Sequence, residues 1–266
     1  MITIFFLFGL IIGSFLNSVT YRLGVMESLW ERSHCPNCKR KVRWYDNIPL
    51  VSFVVLAARC RDCGEKISWR YPLLELLTGV VFALVGAYTF VLSDSSTWLT
   101  AAMQLGVFSL LLVIFAYDLE HMEIPMLVLW AGVALVVLYC LAYDLSYFDP
   151  TLGIMGSKLF GAALGGVVAF VFFFALARFS DETWMGYGDA YLGLLVGMVA
   201  LWPRIIATLV LSFVIGSLLS IGLIAFRKKT MKSQVPFAPF LIAGLIVSVF
   251  AGEAFPQLTF LIPFFY

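Results

Sequence analysis

Residues 99–118 read Leu-Thr-Ala-Ala-Met-Gln-Leu-Gly-Val-Phe-Ser-Leu-Leu-Leu-Val-Ile-Phe-Ala-Tyr-Asp, an uncharged run closed by an aspartate. A run of that length and apolarity crosses the ~30 Å hydrocarbon core of a bilayer as an α-helix. The same pattern recurs along the chain. Apolar windows near residues 1–20, 73–92, 99–117, 124–142, 154–177, 190–202, 205–226 and 237–262 predict about eight transmembrane helices, the sixth unusually short. Composition agrees, with 62% of the 266 residues apolar and a mean hydropathy of +0.99. A soluble domain of this size cannot bury so much apolar surface, so the lipid bilayer is the solvent. The expected fold class is an all-α polytopic membrane protein.

A net charge of +1 leaves no basic face for nucleic acid. Residues 1–20 lack a positive start and an Ala-x-Ala site, so they read as a retained first span and not a signal peptide. Positive charge concentrates in one place: ten of the seventeen Lys and Arg residues fall in residues 22–70, against five acids. The expected organisation is a first span at 1–21, a cytosolic loop domain at 22–72 and a transmembrane core at 73–266. Residues 93–96 and 143–150 hold no Lys or Arg, whereas residues 227–229 are basic. The positive-inside rule puts the basic loops in the cytoplasm and the amino terminus outside. Counting spans from there brings both Asp118 and Asp189 to the cytoplasmic face. Gly161, Gly165 and Gly166 fall at a spacing that suits close helix packing.

Four cysteines lie in the basic loop, as Cys35-Pro36-Asn37-Cys38 and Cys60-Arg61-Asp62-Cys63. Each Cys-x-x-Cys turn presents two thiolates, and two such turns complete a tetrahedral structural zinc site. A reducing cytoplasm disfavours the alternative of two disulfides. Metal binding would supply part of the folding energy of a loop too small for its own core. Cys140 falls within a span and reads as packing.

Asp118 ends the third span in Tyr117-Asp118-Leu119, and Asp189 opens the sixth in Gly186-Tyr187-Gly188-Asp189. Two carboxylates in a partly dry site share a proton, which gives a base and an acid at once. The base activates water and the acid holds the scissile carbonyl, so the pair performs aspartyl proteolysis without a metal or nucleophilic side chain. Taken singly, each aspartate is more simply a charge at a helix end, and the dipole favours one at a helix amino terminus. Gly186 and Gly188 tip the balance, because they let an extended substrate backbone approach. Glu75, just inside the second span, is costly there and needs a partner. It could pair with Arg70, face the cytosolic loop or support the site. Glu120, His121 and Glu123 read as solvated, and Asn17 and Ser18 as helix-to-helix hydrogen bonding.

These residues resemble the type IV prepilin peptidases, also called leader peptidase/N-methyltransferases, which belong to the GxGD aspartyl proteases. The likeness covers nearly the whole chain in order. It starts at Gly13-Ser14-Phe15-Leu16-Asn17 and Tyr21-Arg22-Leu23 and takes in both Cys-x-x-Cys turns. Arg43-Trp44-Tyr45-Asp46-Asn47-Ile48-Pro49 lies between the turns, and Ser68-Trp69-Arg70-Tyr71-Pro72-Leu73-Leu74-Glu75-Leu76 follows them. Tyr117-Asp118-Leu119 with Ile124-Pro125, Gly186-Tyr187-Gly188-Asp189 and Pro236-Phe237-Ala238-Pro239-Phe240 complete it.

The resemblance implies an inner-membrane endopeptidase that removes basic leaders from prepilins or pseudopilins of type IV pilus or type II secretion systems. It implies Asp118 and Asp189 as the catalytic pair. It also implies N-methylation of the new amino terminus from S-adenosylmethionine by the part around residues 22–72. Methylation rests on the likeness alone, since the chain has no glycine-rich nucleotide loop. The chain departs from the family pattern at Gly24 in place of Pro, Tyr191 in place of Lys, and Ala238 in place of Gly. None of these removes a carboxylate.

Two other classes compete. A proton-coupled transporter would place its acids near the midplane on paired broken helices, whereas these lie at one membrane face. A zinc-loop membrane adaptor would depend on Cys35 or Cys60 and not on the aspartates.

Overall fold

The apolar runs become helices in the computed structural model, which describes residues 2–28, 31–92, 95–147, 150–225 and 236–254. Nine α-helices follow one another among the described residues: α1 (Ile2–Val25), α2 (Val51–Val55), α3 (Arg70–Leu92), α4 (Ser95–His121), α5 (Met126–Tyr147), α6 (Lys158–Phe179), α7 (Tyr187–Ala200), α8 (Ile205–Ala225) and α9 (Ala238–Ala254). The expected all-α class holds. Two isolated antiparallel bridges, His34 with Lys41 and Arg59 with Lys66, are the β pairing among the described residues.

Eight spans are not confirmed. Among the described residues six helices are long and apolar enough to cross a membrane, at Ile2–Val25, Arg70–Thr89, Thr97–His121, Met126–Tyr147, Lys158–Phe179 and Ile205–Gly222. The sixth expected span is α7, whose 14 residues rise about 21 Å and fall short of a ~30 Å core. Its early end has a local cause: Leu201 caps it with a left-handed backbone (φ 64°), and the Trp202 N–H turns to the Gly161 carbonyl. The eighth expected span is seen as the 17 residues of α9. Residues 255–262 of that expectation, with the basic residues 227–229, lie outside the described residues.

The chain forms two units, Met1–Tyr117 and Asp118–Tyr266. In the first, α1 packs along α3, and glycines set the spacing. A Cβ on Gly13 would come 2.7 Å from the Glu75 Cα, and one on Gly9 would come 2.8 Å from the Gly79 Cα. Asn17 Nδ2 donates to the Tyr71 carbonyl at 3.0 Å, the helix-to-helix role expected of it. Ser18 bonds instead to Ser33 of the loop, at 3.2 Å.

In the second unit, α6 and α7 form the tightest pair. A Cβ on Gly165 would lie 2.5 Å from the Gly197 carbonyl, and one on Gly166 would lie 2.7 Å from Met198 Cγ. Gly161 is looser, with nearest neighbours at 3.9 Å. At the opposite end, Asp144 of α5 accepts the N–H groups of Lys158 (2.8 Å) and Leu159 (3.0 Å) and so supplies the free amides of the α6 amino terminus. The α8 and α9 pair is bridged by a buried Thr208–Ser248 hydroxyl contact of 2.7 Å.

Overpacking a backbone-to-backbone contact leaves the helices nowhere to relax. Gly165→Val should destabilise the protein in detergent by about 2 kcal/mol or prevent its folding. Gly222→Ala, with no described atom within 4 Å of the added methyl, should not lower the melting temperature.

Candidate active site and metal centre

Asp118 sits three residues before the end of α4, where the chain turns through Met122 in a left-handed conformation (φ 53°). Its side chain is 5% exposed. The carboxylate accepts the backbone N–H of Ala238, a first-turn amide of α9 with no partner inside its own helix. The other oxygen, Oδ2, is buried without a hydrogen-bond partner among the described residues. A buried carboxylate oxygen left open in this way is costly unless something else meets it.

Asp189 lies in the first turn of α7, three residues after the Gly186 that caps it. Its carboxylate accepts the Gly186 N–H, and its own N–H reaches back to the Gly186 carbonyl at 3.1 Å. This is the carboxylate half of a capping box, so the acid satisfies an amide that the helix leaves free. Asp189 is half-buried, and its charge is felt at Asp118. Both expected acids belong to the second unit.

Neither glycine of the motif is there for the fold. Gly186 has an ordinary extended backbone (φ −81°, ψ 158°), and a Cβ there would meet nothing closer than 3.9 Å. A Cβ on Gly188 would make only ordinary contact with Ile124 Cδ1, at 3.4 Å. Gly186 thus leaves room beside the first turn of α7, whereas Gly188 packs against Ile124.

Sequence reasoning missed the Ala238 amide, since a backbone group has no side-chain signature. Its placement comes from Phe237, whose ring packs on Phe173 of α6 (5.5 Å) and Phe213 of α8 (5.3 Å). The substitution of Ala for Gly at 238 is absorbed because the fully buried methyl fits while the N–H does the work. Tyr191, where the resemblance leads one to look for Lys, packs with Phe170 and Trp130. Glu75 takes its partners from its own unit: Oε2 accepts the Leu50 N–H at 2.8 Å, and the Ser14 hydroxyl donates to the same carboxylate. Of the three expectations for Glu75, the one that turns it toward the loop is the one seen.

In the loop domain the four expected cysteines converge, with their sulfurs all within 4.8 Å of one another. Two knuckles repeat at an offset of 25 residues. Lys39 N–H donates to the Cys35 carbonyl and Gly64 N–H to the Cys60 carbonyl, both at 2.9 Å, and each turn passes through a left-handed residue, Lys39 or Gly64. Zn–S bonds of about 2.3 Å make a sulfur tetrahedron with edges of about 3.8 Å. Cys35 Sγ to Cys63 Sγ across the knuckles is 3.9 Å. The residues fit zinc, and no disulfide links them.

Backbone amides of Cys63 and Asp62, with the neighbouring thiols, bring the Cys60 thiol down to about 7. Cys63 moves up to about 11: the Glu65 amide favours its thiolate, but burial and the thiols of Cys60, Cys38 and Cys35 outweigh that donor. Arg61 grips Asp46 through Nε and Nη2 (2.6–3.1 Å) and holds that carboxyl below the usual range. Cys140 is fully buried in α5, as expected for packing.

A multi-pass helical membrane protein with a four-cysteine loop and a buried aspartate beside a second one is a narrow class. The model of the bacterial peptidase A24 N-terminal domain matches residues 7–89, and that of the type IV leader peptidase family matches residues 105–221. The chain is 33% identical to the prepilin leader peptidase/N-methyltransferase of Aeromonas hydrophila, over 91% of this chain and 88% of that one. It is 30% identical to the protein of the same name from Pseudomonas aeruginosa (93% and 89%). It is 33% identical to the type 4 prepilin-like proteins leader peptide-processing enzyme of Escherichia coli (93% of each). No solved structure matches. The chain belongs to the type IV leader peptidase family, several of whose curated members are named prepilin leader peptidase/N-methyltransferase.

If the knuckles hold a metal, purified protein should contain about one zinc per chain. Cys35→Ser or Cys60→Ser should lose it and make the loop far more sensitive to protease, as elemental analysis and limited proteolysis will report. Full zinc content in either variant would contradict the four-ligand site.

Proposed function

We propose that the chain is a membrane aspartyl endopeptidase that cuts the basic leader from prepilins or pseudopilins at the cytoplasmic face, with Asp118 and Asp189 as its catalytic pair. The observation that carries this reading is the buried Asp118 oxygen without a partner, in a carboxylate that feels the charge of Asp189. Two carboxyl groups that act on each other electrostatically titrate as a pair, so one can be ionised while the other keeps its proton. One takes a proton from water as the water attacks the scissile carbonyl, and the other protonates or holds that carbonyl oxygen. The Ala238 and Gly186 amides fix the carboxylates for this task, and the room at Gly186 admits an extended peptide. Cytoplasmic placement is supported by the charge of the loops, which the positive-inside rule turns inward.

Methylation of the new amino terminus is the second proposed activity, supported by the names of the relatives. S-adenosylmethionine is the proposed methyl donor. In the loop domain, a hollow lined by Glu27, Glu31, Arg32, His34, Lys39 and Lys41 offers both signs of charge to a zwitterionic donor. Zinc on the four cysteines would serve structure, holding the knuckles that shape this hollow. A transporter finds less support, because both acids lie in end turns of their helices. Activity that vanished with Cys35 but ignored both aspartates would favour the adaptor.

Asp118→Asn and Asp189→Asn should each lower prepilin cleavage by about a thousandfold or more while the protein stays folded and inserted. Mass spectrometry of a prepilin incubated with S-adenosylmethionine reads leader loss and methyl gain together. Substantial cleavage by either variant would exclude the pair. Gly186→Ala, which has room in the free protein, should slow cleavage without changing thermal stability; an unchanged rate would exclude substrate approach over that residue.

A further inference from the structure

Helix α2 is one and a half turns long and shows its apolar side to the outside. Val51, Val54 and Val55, at the i, i+3, i+4 spacing of one helix face, are exposed, the last two by 76% and 70%. The opposite side is anchored: Ser52 is buried, its hydroxyl donates to the Tyr45 carbonyl (3.0 Å), and it accepts the Ile48 N–H (3.0 Å). Trp44, on the turn so held, and Trp69 are also exposed, by 77% and 68%. A cluster of three valines and two tryptophans turned to water would be an aggregation hazard.

Two contacts fix the height of this face. Leu50, the residue that caps α2, gives its N–H to Glu75. Glu75 lies five residues inside a membrane-spanning helix that begins at Arg70, about 7.5 Å along its axis. Phe53 of α2 packs against Trp69, immediately before that span, with ring centroids 4.8 Å apart. The start of α2 is therefore tied to a residue below the mouth of the span. Side chains at that level meet the boundary of headgroups and acyl chains, the layer where tryptophan and short amphipathic helices settle.

We infer that α2, with Trp44 and Trp69, is a membrane-interface anchor that seats the loop domain on the bilayer through Val51, Val54 and Val55. Its occupant is lipid from the membrane that α1 and α3 already cross. The anchor limits the swing of a domain otherwise joined to the bilayer by two helices, and keeps the knuckles close to the membrane surface.

The test places the photo-crosslinking residue p-benzoylphenylalanine at Val54 of the full-length protein, reconstituted in phosphatidylethanolamine and phosphatidylglycerol vesicles. Irradiation should add the mass of a phospholipid to that peptide. A second chain with the crosslinker at Trp44 should lose its lipid adduct about tenfold when Val54→Asp and Val55→Asp are added, because charge is expelled from the acyl boundary. Zinc content and melting temperature in detergent should not change, since both valines are exposed. Three results would overturn the inference: no lipid adduct at Val54, a lipid yield at Trp44 indifferent to the two aspartates, or an adduct to added prepilin in place of lipid. None of these readouts depends on catalysis.

Discussion

A carboxylate with a bare oxygen inside an apolar bundle constrains everything around it. Asp118 is 5% exposed, and its oxygen Oδ2 has no hydrogen-bond partner among the described residues. Ionised and alone it would cost several kcal/mol, so the fold must bring it other company. It does so with two helix amino termini: the amide of Ala238 reaches Asp118 directly, and the first turn of α7 holds Asp189 nearby. The rest of the second unit serves that arrangement. Phe237, wedged on Phe173 and Phe213, sets where α9 starts. Glycine contacts between α6 and α7 set where α7 lies.

The first unit solves a different problem with different means. Among the described residues its loop buries no large apolar side chain, and its shape comes from two knuckles that bring four sulfurs within 4.8 Å. Short polar ties fasten the loop to the helices at its ends: Glu75 to Leu50, Ser18 to Ser33, and the Arg61 guanidinium to Asp46 within the loop itself. The same Glu75 bond that closes a buried carboxylate also fixes the level of α2. One interaction so settles both the acid in the span and the height of the loop domain.

Much of this was legible in the sequence, and the failures have physical causes. Long uncharged runs gave six spans correctly because length and hydropathy are what a bilayer selects. The sixth expected span failed on length, since hydropathy says nothing about a left-handed cap such as Leu201 that ends a helix early. The four cysteines were readable because metal chemistry demands residue type and spacing. The 25-residue repeat around them was not, because apart from the cysteines few side chains repeat with the backbone turns. Both aspartates stood out as charges at the ends of apolar runs. Their backbone donors left no trace, although Pro236-Phe237-Ala238-Pro239 stood out by resemblance to the family. Glu75 was correctly seen to need a partner, but a backbone N–H twenty-five residues earlier could not be foreseen.

The central claim is that Asp118 and Asp189 hold a single proton between them. Infrared difference spectroscopy of the carboxyl stretch, followed across the working pH range, reads that proton directly. The account predicts one protonated-carboxyl band that disappears in Asp118→Asn and equally in Asp189→Asn, because the proton belongs to the pair. A band that survives unchanged in either variant would mean the acids titrate independently, and the proposed chemistry would fail with it.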